Sequence, residues 1–488
     1  MRELEGDESE AFAKIPALCQ RIRQADKDNY VAVSWSDNTT GTGNFEAIFI
    51  APLGTRNAQW HLRSFVGLDS AHTKSKYRMQ LFVACGIDAN DKGVPLAWAL
   101  VPIENKKWWL WFCGHLKQAF HIDERDDVVF MSDREKGLVP AVEEIFPKVK
   151  HSYCCQHIAD NVGVSFGNKY RSFFWRCARA KTSGAFDEAL KELYKVSYAA
   201  GEYIENLDHT TWARYAFPFP RYGNDTNNVN ESINNTWLDI RRLPILQMIE
   251  AIYTFLMKMV YDRHNEAELQ KSTEIADIPL QKFNERLRSS RRYRVFESGN
   301  GIFQVQIPDI GVKYIVNLQT TECDCSFFWD YRSPCTHAIT ALRYETEDPY
   351  LYFHKGYRVK ALRKTYERFI IPFSIQDLPV AVGCYPPVYK KQPGRPKTKR
   401  IRRGLSKRKL TTCGNCGQKA KHNARTCRSA PKHIRRERER NFSSSDSDSS
   451  SSINSTKDDS SDQGSLDSEL LREQQWQAEM DRYDFVIA

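Results

Sequence analysis

SFVGLDSAHTKSKYRMQLFVACGIDANDKGVPLAWALVPI, residues 64–103, is the stretch that decides the fold. It contains three apolar runs, SFVGLD, MQLFVACGID and VPLAWALVPI, each of strand length and each bounded by polar or Gly/Asn/Asp turn residues. Three such runs in succession predict an antiparallel meander. Further along, KWWLWFCGHLKQAF (107–120) has helical spacing, DDVVFMSD (126–133) reads as a fourth strand, EKGLVPAVEEIF as a second helix and VKHSYC as a fifth strand. The expected product is an α/β domain on a mixed sheet. Asp69 ends the first strand and Asp133 the fourth, so both carboxylates are expected at the C-terminal edge where the strand order switches, the usual ligand site of such sheets.

Beyond this block, residues 158–215 read as helical, with EALKELYKVSYAAGEYI at a 3.6-residue period, and are expected to form an all-α insertion. A further helix is expected to open at the Asn-rich NDTNNVN. It would carry Val229, Ile233, Trp237 and Ile240 on one stripe and turn Glu231, Ser232 and Asn235 to the other side. Pro244 permits a new start, and ILQMIEAIYTFLMKMVYDRHNEAEL continues as a long amphipathic helix.

The chain has 488 residues, 41% of them apolar, enough for roughly two to four domains. Its formal charge of +10 is segregated: residues 390–440 are densely basic, whereas the tail 441–488 opens on a Ser/Asp run that cannot bury apolar surface and is expected to be disordered. The basic stretch suits polyanions or is a solvated linker, and composition alone leaves both open. Met1–Ala17 is acidic and lacks an apolar core, and no run of about 18 apolar residues occurs, so the sequence predicts neither a secreted nor a membrane-spanning protein. The 13 cysteines then belong to a reducing compartment; six of them lie in two tight Cys/His clusters, and the other seven read as core residues.

Phosphodiester chemistry needs a nucleophile made from water or a 3′-hydroxyl and charge neutralisation at the leaving oxygen. Divalent ions bound by hard carboxylate oxygens supply both. Asp69, Asp133 and Glu231 fit that requirement as a set, although each acid taken singly also reads as a turn former, a cap or a surface residue. Asp88 and Asp91 read as turn formers only. The segments VGLDSAHTKSKYRMQLFVACGIDANDKGVPLAWALV, FMSDREKGLVPAVEEIFPKVKHSYCCQHIADNV and NNVNESINN resemble three blocks of the Mutator-like element transposases, over about residues 40–270. The resemblance implies an RNase H-like catalytic domain over 62–270, following a lead-in region 1–61, with the helical insertion at about 160–222. It further implies a catalytic triad at Asp69, Asp133 and Glu231, a two-metal site for Mg²⁺ or Mn²⁺, and a Cys-x-x-His signature at Cys154 and His157. From the residues alone, that signature reads equally as a buried thiol and a satisfied core histidine.

CDCSFFWDYRSPCTH brings Cys323, Cys325, Cys335 and His337 into a CxCx9CxH pattern, four ligands for one tetrahedral Zn²⁺ ion. The pattern resembles the SWIM zinc finger that follows the catalytic domain in these transposases, here over residues 300–345, with IFQVQ and KYIVNL as its strands. A second cluster, Cys413, Cys416, His422 and Cys427 within 410–430, resembles a CCHC zinc knuckle, with five residues rather than four between the second Cys and the His. Between the two, the basic segment 390–408 holds Gly394-Arg395-Pro396, which resembles an AT-hook inserting Arg into a narrow minor groove, and equally a flexible basic linker or a nuclear localisation signal.

These resemblances imply a nuclear DDE transposase, acting as a homo-oligomer on DNA as transposon end and target, with no small-molecule substrate. The alternatives are a domesticated, non-catalytic DNA-binding regulator of the far-red-impaired-response type, which shares this architecture, and an inactive truncated copy. The family commonly carries an N-terminal DNA-binding domain, and this chain begins close to the catalytic core.

Overall fold

The computed structural model describes residues 9–388 apart from 123–124, 272–273 and 309–310, together with 411–412 and 419–420. The chain divides into two units, Met1–Pro396 and Lys397–Ala488. In chain order the first unit begins with α1 (Glu10–Ala13), α2 (Ile15–Ala25), β1 (Tyr30–Asp37), β2 (Thr42–Ala51) and α3 (Leu53–Ala58). The expected meander follows as β3 (Phe65–His72), β4 (Gln80–Ile87) and β5 (Gly93–Val101), then α4 (Lys106–Phe120), β6 (Val129–Ser132), α5 (Leu138–Ile145) and β7 (Lys150–Tyr153). The predicted order of strands and helices is therefore the observed one across this block.

The seven strands lie in the order β1-β2-β5-β4-β3-β6-β7. From β1 to β3 every neighbour is antiparallel; β3–β6 and β6–β7 are parallel. The sheet is mixed, and β3 lies where antiparallel pairing on one side gives way to parallel pairing on the other. The sequence pattern predicts no element within 1–61, yet the β1–β2 hairpin extends the sheet beyond β5.

Hydrophobic burial holds α4 to this sheet. Asn105 caps the helix by accepting a hydrogen bond from the Trp108 amide at 3.1 Å, and His121 at φ +49° ends it. Trp109, Phe112 and Leu116 recur at helical spacing and are fully buried, with Trp109 stacked on Phe82 of β4 at 3.8 Å between centroids. Truncating such an aromatic costs about 3–5 kcal/mol.

After β7 come α6 (Cys155–Ser165), α7 (Arg171–Ala178), α8 (Ser183–Val196) and α9 (Tyr198–Glu205). These helices enclose a separate core that includes Ile158, Phe174, Phe186, Leu193, Ile204 and Trp212. Then α10 (Asn228–Thr236) lies across the sheet, α11 (Ile245–Glu268) packs along its core, and α12 (Asp277–Ser290) leads to a second, smaller sheet. That sheet comprises β8 (Arg294–Gly299), β9 (Ile302–Gln306), β10 (Lys313–Asn317) and β11 (Glu322–Cys323), all antiparallel. It is closed by α13 (Phe327–Tyr331) and α14 (Thr336–Tyr344).

The chain then returns to the large sheet. Following α15 (Val359–Thr365), Arg21 donates to the carbonyl of Ser374 at 2.9 Å and Ala381 N–H to that of Ala13 at 2.8 Å. A short β12 (Cys384–Tyr385) pairs parallel with β2. In the second unit the described residues are β13 (Thr411–Thr412) and β14 (Lys419–Ala420), an antiparallel pair. Gly394, Arg395, Pro396, the knuckle ligands Cys413, Cys416, His422 and Cys427, and the tail 441–488 lie outside the described residues.

Among the described residues no helix is long and apolar enough to cross a membrane. The seven cysteines outside the two clusters (Cys19, Cys85, Cys113, Cys154, Cys155, Cys177 and Cys384) are all buried.

Candidate active site and Cys/His centre

The strand register sets the site. Parallel pairing places Phe65 beside Val129, Val66 beside Phe130 and Gly67 beside Met131. Continued by two residues, that register brings Asp69 level with Asp133, which follows the end of β6; Asp69 itself does not end its strand as expected, because β3 runs on to His72 paired with β4. On the next pair Ser132 lies beside Tyr153, and Cys154 N–H donates to the Ser132 carbonyl at 2.7 Å, so Cys154 follows level with Asp133. Three neighbouring strands thus present, at one level, a carboxylate within β3, a carboxylate just past β6 and a thiol just past β7. Cys154 is also the N-cap of α6, whose first turn supplies His157.

Glu231 reaches this edge on α10. The helix is fastened to the sheet by amides spaced along one face. Asn227 Nδ2 donates to the Leu68 carbonyl at 2.8 Å, Asn230 Nδ2 to the Val83 carbonyl at 3.2 Å, and Asn234 Nδ2 to Asp69 Oδ2 at 2.7 Å. All three asparagines are buried. At Gly67 a Cβ would lie 2.3 Å from Asn227 Oδ1 and 2.7 Å from Asn230 Oδ1, so the strand needs glycine there for the helix to approach. The expected apolar stripe is only half of what holds α10: Ile233 and Trp237 are buried, whereas Val229 and Ile240 are partly exposed.

The three acids interact as like charges. Burial first, then the Asp133 charge and more weakly that of Glu231, push the Asp69 carboxyl up to about 7, against the Ser70 amide that donates to it at 2.9 Å. Burial likewise raises Asp133, opposed by the nearby His157. His157 is pushed up to about 9 by its hydrogen bond with Cys154 and by the charges of Cys154, Asp133 and Asp69, against the effect of burial. Glu104 joins the same edge beside Ser70; burial and the Asp133 charge raise its carboxyl too. Hard oxygen donors that burial and a neighbouring charge keep from ionising could take a divalent cation such as Mg²⁺ or Mn²⁺, whose charge would offset both.

The sequence reading missed Asn227, Asn230, Asn234 and Glu104. The available signal was the i, i+3, i+7 spacing of the asparagines, which places them on one helical face. The sequence reading gave Cys154 and His157 as a signature at the active-site edge or the flanking DNA, without Glu231 as their partner. Their ligand atoms and a Glu231 carboxylate oxygen lie within 4.8 Å of one another.

The other predicted cluster assembles by itself. Cys323 ends β11, Cys325 lies in the turn that follows, and Cys335 caps α14 by accepting from the Ala338 amide at 3.3 Å. His337 stands in the first turn of that helix. All four side chains are buried, and their ligand atoms lie within 4.8 Å of one another. The imidazole is stacked between Tyr314 at 3.9 Å and Tyr293 at 5.6 Å. Three unbridged thiols and one imidazole converging in this way could hold a zinc ion.

Salt bridges join this module to the insertion. Asp225 is held below the usual carboxylate range by Arg214, Arg221 and Arg179 despite burial, and Arg214 also pairs with Asp330 of α13 at 3.7 Å. Asp330 Oδ1 accepts from the Arg221 amide at 2.9 Å. Asp225 in turn offers its carbonyl to the Cys155 amide at 2.9 Å, so the two centres are tied through one buried ionic network.

Known proteins share parts of this arrangement. A relative, Protein FAR-RED IMPAIRED RESPONSE 1 of Arabidopsis thaliana, is 21% identical over 175 residues, covering 34% of this chain and 20% of its own length. The chain thus spans about a fifth of that relative. Residues 65–161, which run from the start of β3 into α6 and include Asp69, Asp133, Cys154 and His157, match the MULE transposase domain family.

Proposed function

We propose that this protein is a DDE-type transposase of the Mutator-like kind, with an RNase H-like catalytic domain over 62–270 that cuts and joins DNA. The observation that carries this reading is the meeting of Asp69, Asp133 and Glu231 at one part of the sheet, where burial first and then the charges of Asp133 and, more weakly, Glu231 raise the Asp69 carboxyl. Asp69, Asp133 and Glu231 would hold Mg²⁺ or Mn²⁺, which when bound supplies charge neutralisation at the attacking and leaving oxygens of a phosphodiester. The chain's own groups orient that site. Asn234 fixes one Asp69 oxygen and the Ser70 amide the other, so the carboxylate is aimed before DNA arrives. The strand register fixes Asp133 beside it.

On the same reading, the Cys323, Cys325, Cys335 and His337 centre is a SWIM zinc finger. The basic segment with Gly394, Arg395 and Pro396 and the cluster Cys413, Cys416, His422 and Cys427 add DNA contacts and a second zinc. The protein would work in the nucleus as a homo-oligomer on transposon ends and target DNA.

The likeness to Protein FAR-RED IMPAIRED RESPONSE 1 favours a second reading, a domesticated DNA-binding regulator without chemistry. Incubating the full chain with Mg²⁺ and terminal-inverted-repeat DNA, beside Asp69→Asn, separates the two. Cleavage by the wild type and none by the variant supports the transposase. Tight DNA binding with equal, background cleavage by both proteins supports the regulator.

A further inference from the structure

Cys154, His157 and Glu231 come from three places in the chain: the end of β7, the first turn of α6 and the middle of α10. Their thiol, imidazole and carboxylate donors nonetheless lie within 4.8 Å of one another. The thiol is buried and already turned toward α10, since it accepts from the Asn227 backbone N–H at 3.3 Å. The imidazole Nδ1 is buried and has no hydrogen-bond partner. An imidazole that hydrogen-bonds a thiol, lies close to a carboxylate and keeps a buried ring nitrogen without a partner is an incomplete polar cluster, and a bound cation is one way to complete it.

The donor set selects the ion. Magnesium takes oxygen ligands and retains its waters, whereas sulfur and imidazole nitrogen favour zinc. Three protein donors of mixed type leave the fourth position of a tetrahedral zinc ion open to water or a phosphate oxygen. We propose that Cys154, His157 and Glu231 form a further zinc site, separate from the buried Cys323, Cys325, Cys335 and His337 centre and from the Cys413, Cys416, His422 and Cys427 cluster, which ties Glu231 to the end of β7 and the start of α6. Glu231 is then shared between a soft site on one side and the hard Asp69 and Asp133 pair on the other. The inference uses the position of Glu231 but not the transposase reading, because its test counts metal and not cleavage.

The test is zinc content per chain, measured by plasma mass spectrometry on the full-length protein after dialysis against buffer containing micromolar zinc and then zinc-free buffer. Cys154→Ser, His157→Gln and Glu231→Gln are compared with the wild type. The expected result is the loss of one zinc equivalent in all three, with the circular dichroism spectrum unchanged for Glu231→Gln, which alters a half-buried side chain by one atom type. Wild-type zinc content in Glu231→Gln and His157→Gln overturns the site, whether or not Cys154→Ser loses metal through misfolding. Cleavage of DNA can fail in every one of these proteins without touching the result.

Discussion

The carboxylate edge and the Cys/His centre are both places where the chain gathers metal-type ligands, and they are built in opposite ways. At the Cys/His centre the four donors come from a short stretch, are fully buried, and are packed between Tyr293 and Tyr314. At the carboxylate edge the acids come from β3, the residue after β6 and α10, remain partly exposed, and burial together with the neighbouring charges raises Asp69. A local soft cluster can be part of folding itself, whereas a long-range hard cluster must be held together against its own charge by the rest of the fold. At the edge, buried asparagines do the holding.

That contrast can be broken at several points. The largest effect is expected at the Cys/His centre: Cys335→Ser should remove its zinc and with it the order of residues 294–344, a loss within the about 10–16 kcal/mol that structural zinc supplies to small modules. Limited proteolysis with and without a chelator reads this out. An intact proteolytic pattern in the variant would mean that tyrosine packing alone supports the module. Next comes Gly67→Ala, where the new methyl meets Asn227 and Asn230; a loss of about 1–3 kcal/mol is expected in urea unfolding, with no change in zinc content.

The charge repulsion makes a prediction of its own. Asp69 has a raised pKa in the folded protein, so its contribution to stability is present below its unfolded value near 4 and is lost as pH rises through about 7. The metal-free protein should therefore weaken between about pH 4 and pH 7, by about 1–3 kcal/mol, and millimolar Mg²⁺ should restore more stability at pH 8 than at pH 5. Melting temperatures on a grid of pH and Mg²⁺ check this. A Mg²⁺ effect equal at both pH values would contradict it. The smallest effect is expected at Asn234→Ala, which frees one Asp69 oxygen. Divalent-ion affinity should fall about 10- to 100-fold with the fold preserved, and an unchanged affinity would show that the amide only packs the helix.

Much of this architecture was legible beforehand, for physical reasons. Strands β3 to β6 and helices α4 and α5 bury continuous or periodic apolar faces, so VGLD, LFVACGI and WWLWFCGHL announced themselves. The place of Asp133 after β6 followed from the same pattern, whereas β3 runs three residues past Asp69 because SAH continues the pairing with β4. The β1–β2 hairpin was missed because it pairs only with β5 and, near the end, β12, and only three of the eight β1 residues are buried. The asparagine face of α10 was missed because asparagine in sequence signals a cap or a turn, and its value here depends on a sheet that lies far away in the chain. The convergence of Cys154 and His157 with Glu231 could not be read at all. It depends on the strand register and on where Asn227 sets α10 down.

The most direct measurement is isothermal titration of Mn²⁺ into the metal-free protein at pH 8, for the wild type and for Asp69→Ala, Asp133→Ala and Glu231→Ala in turn. The account predicts binding by the wild type and a loss of at least about tenfold in affinity in each variant, since all three acids serve one site. Equal binding by the wild type and all three variants would contradict it, and would leave a sheet edge on which carboxylates meet without holding an ion.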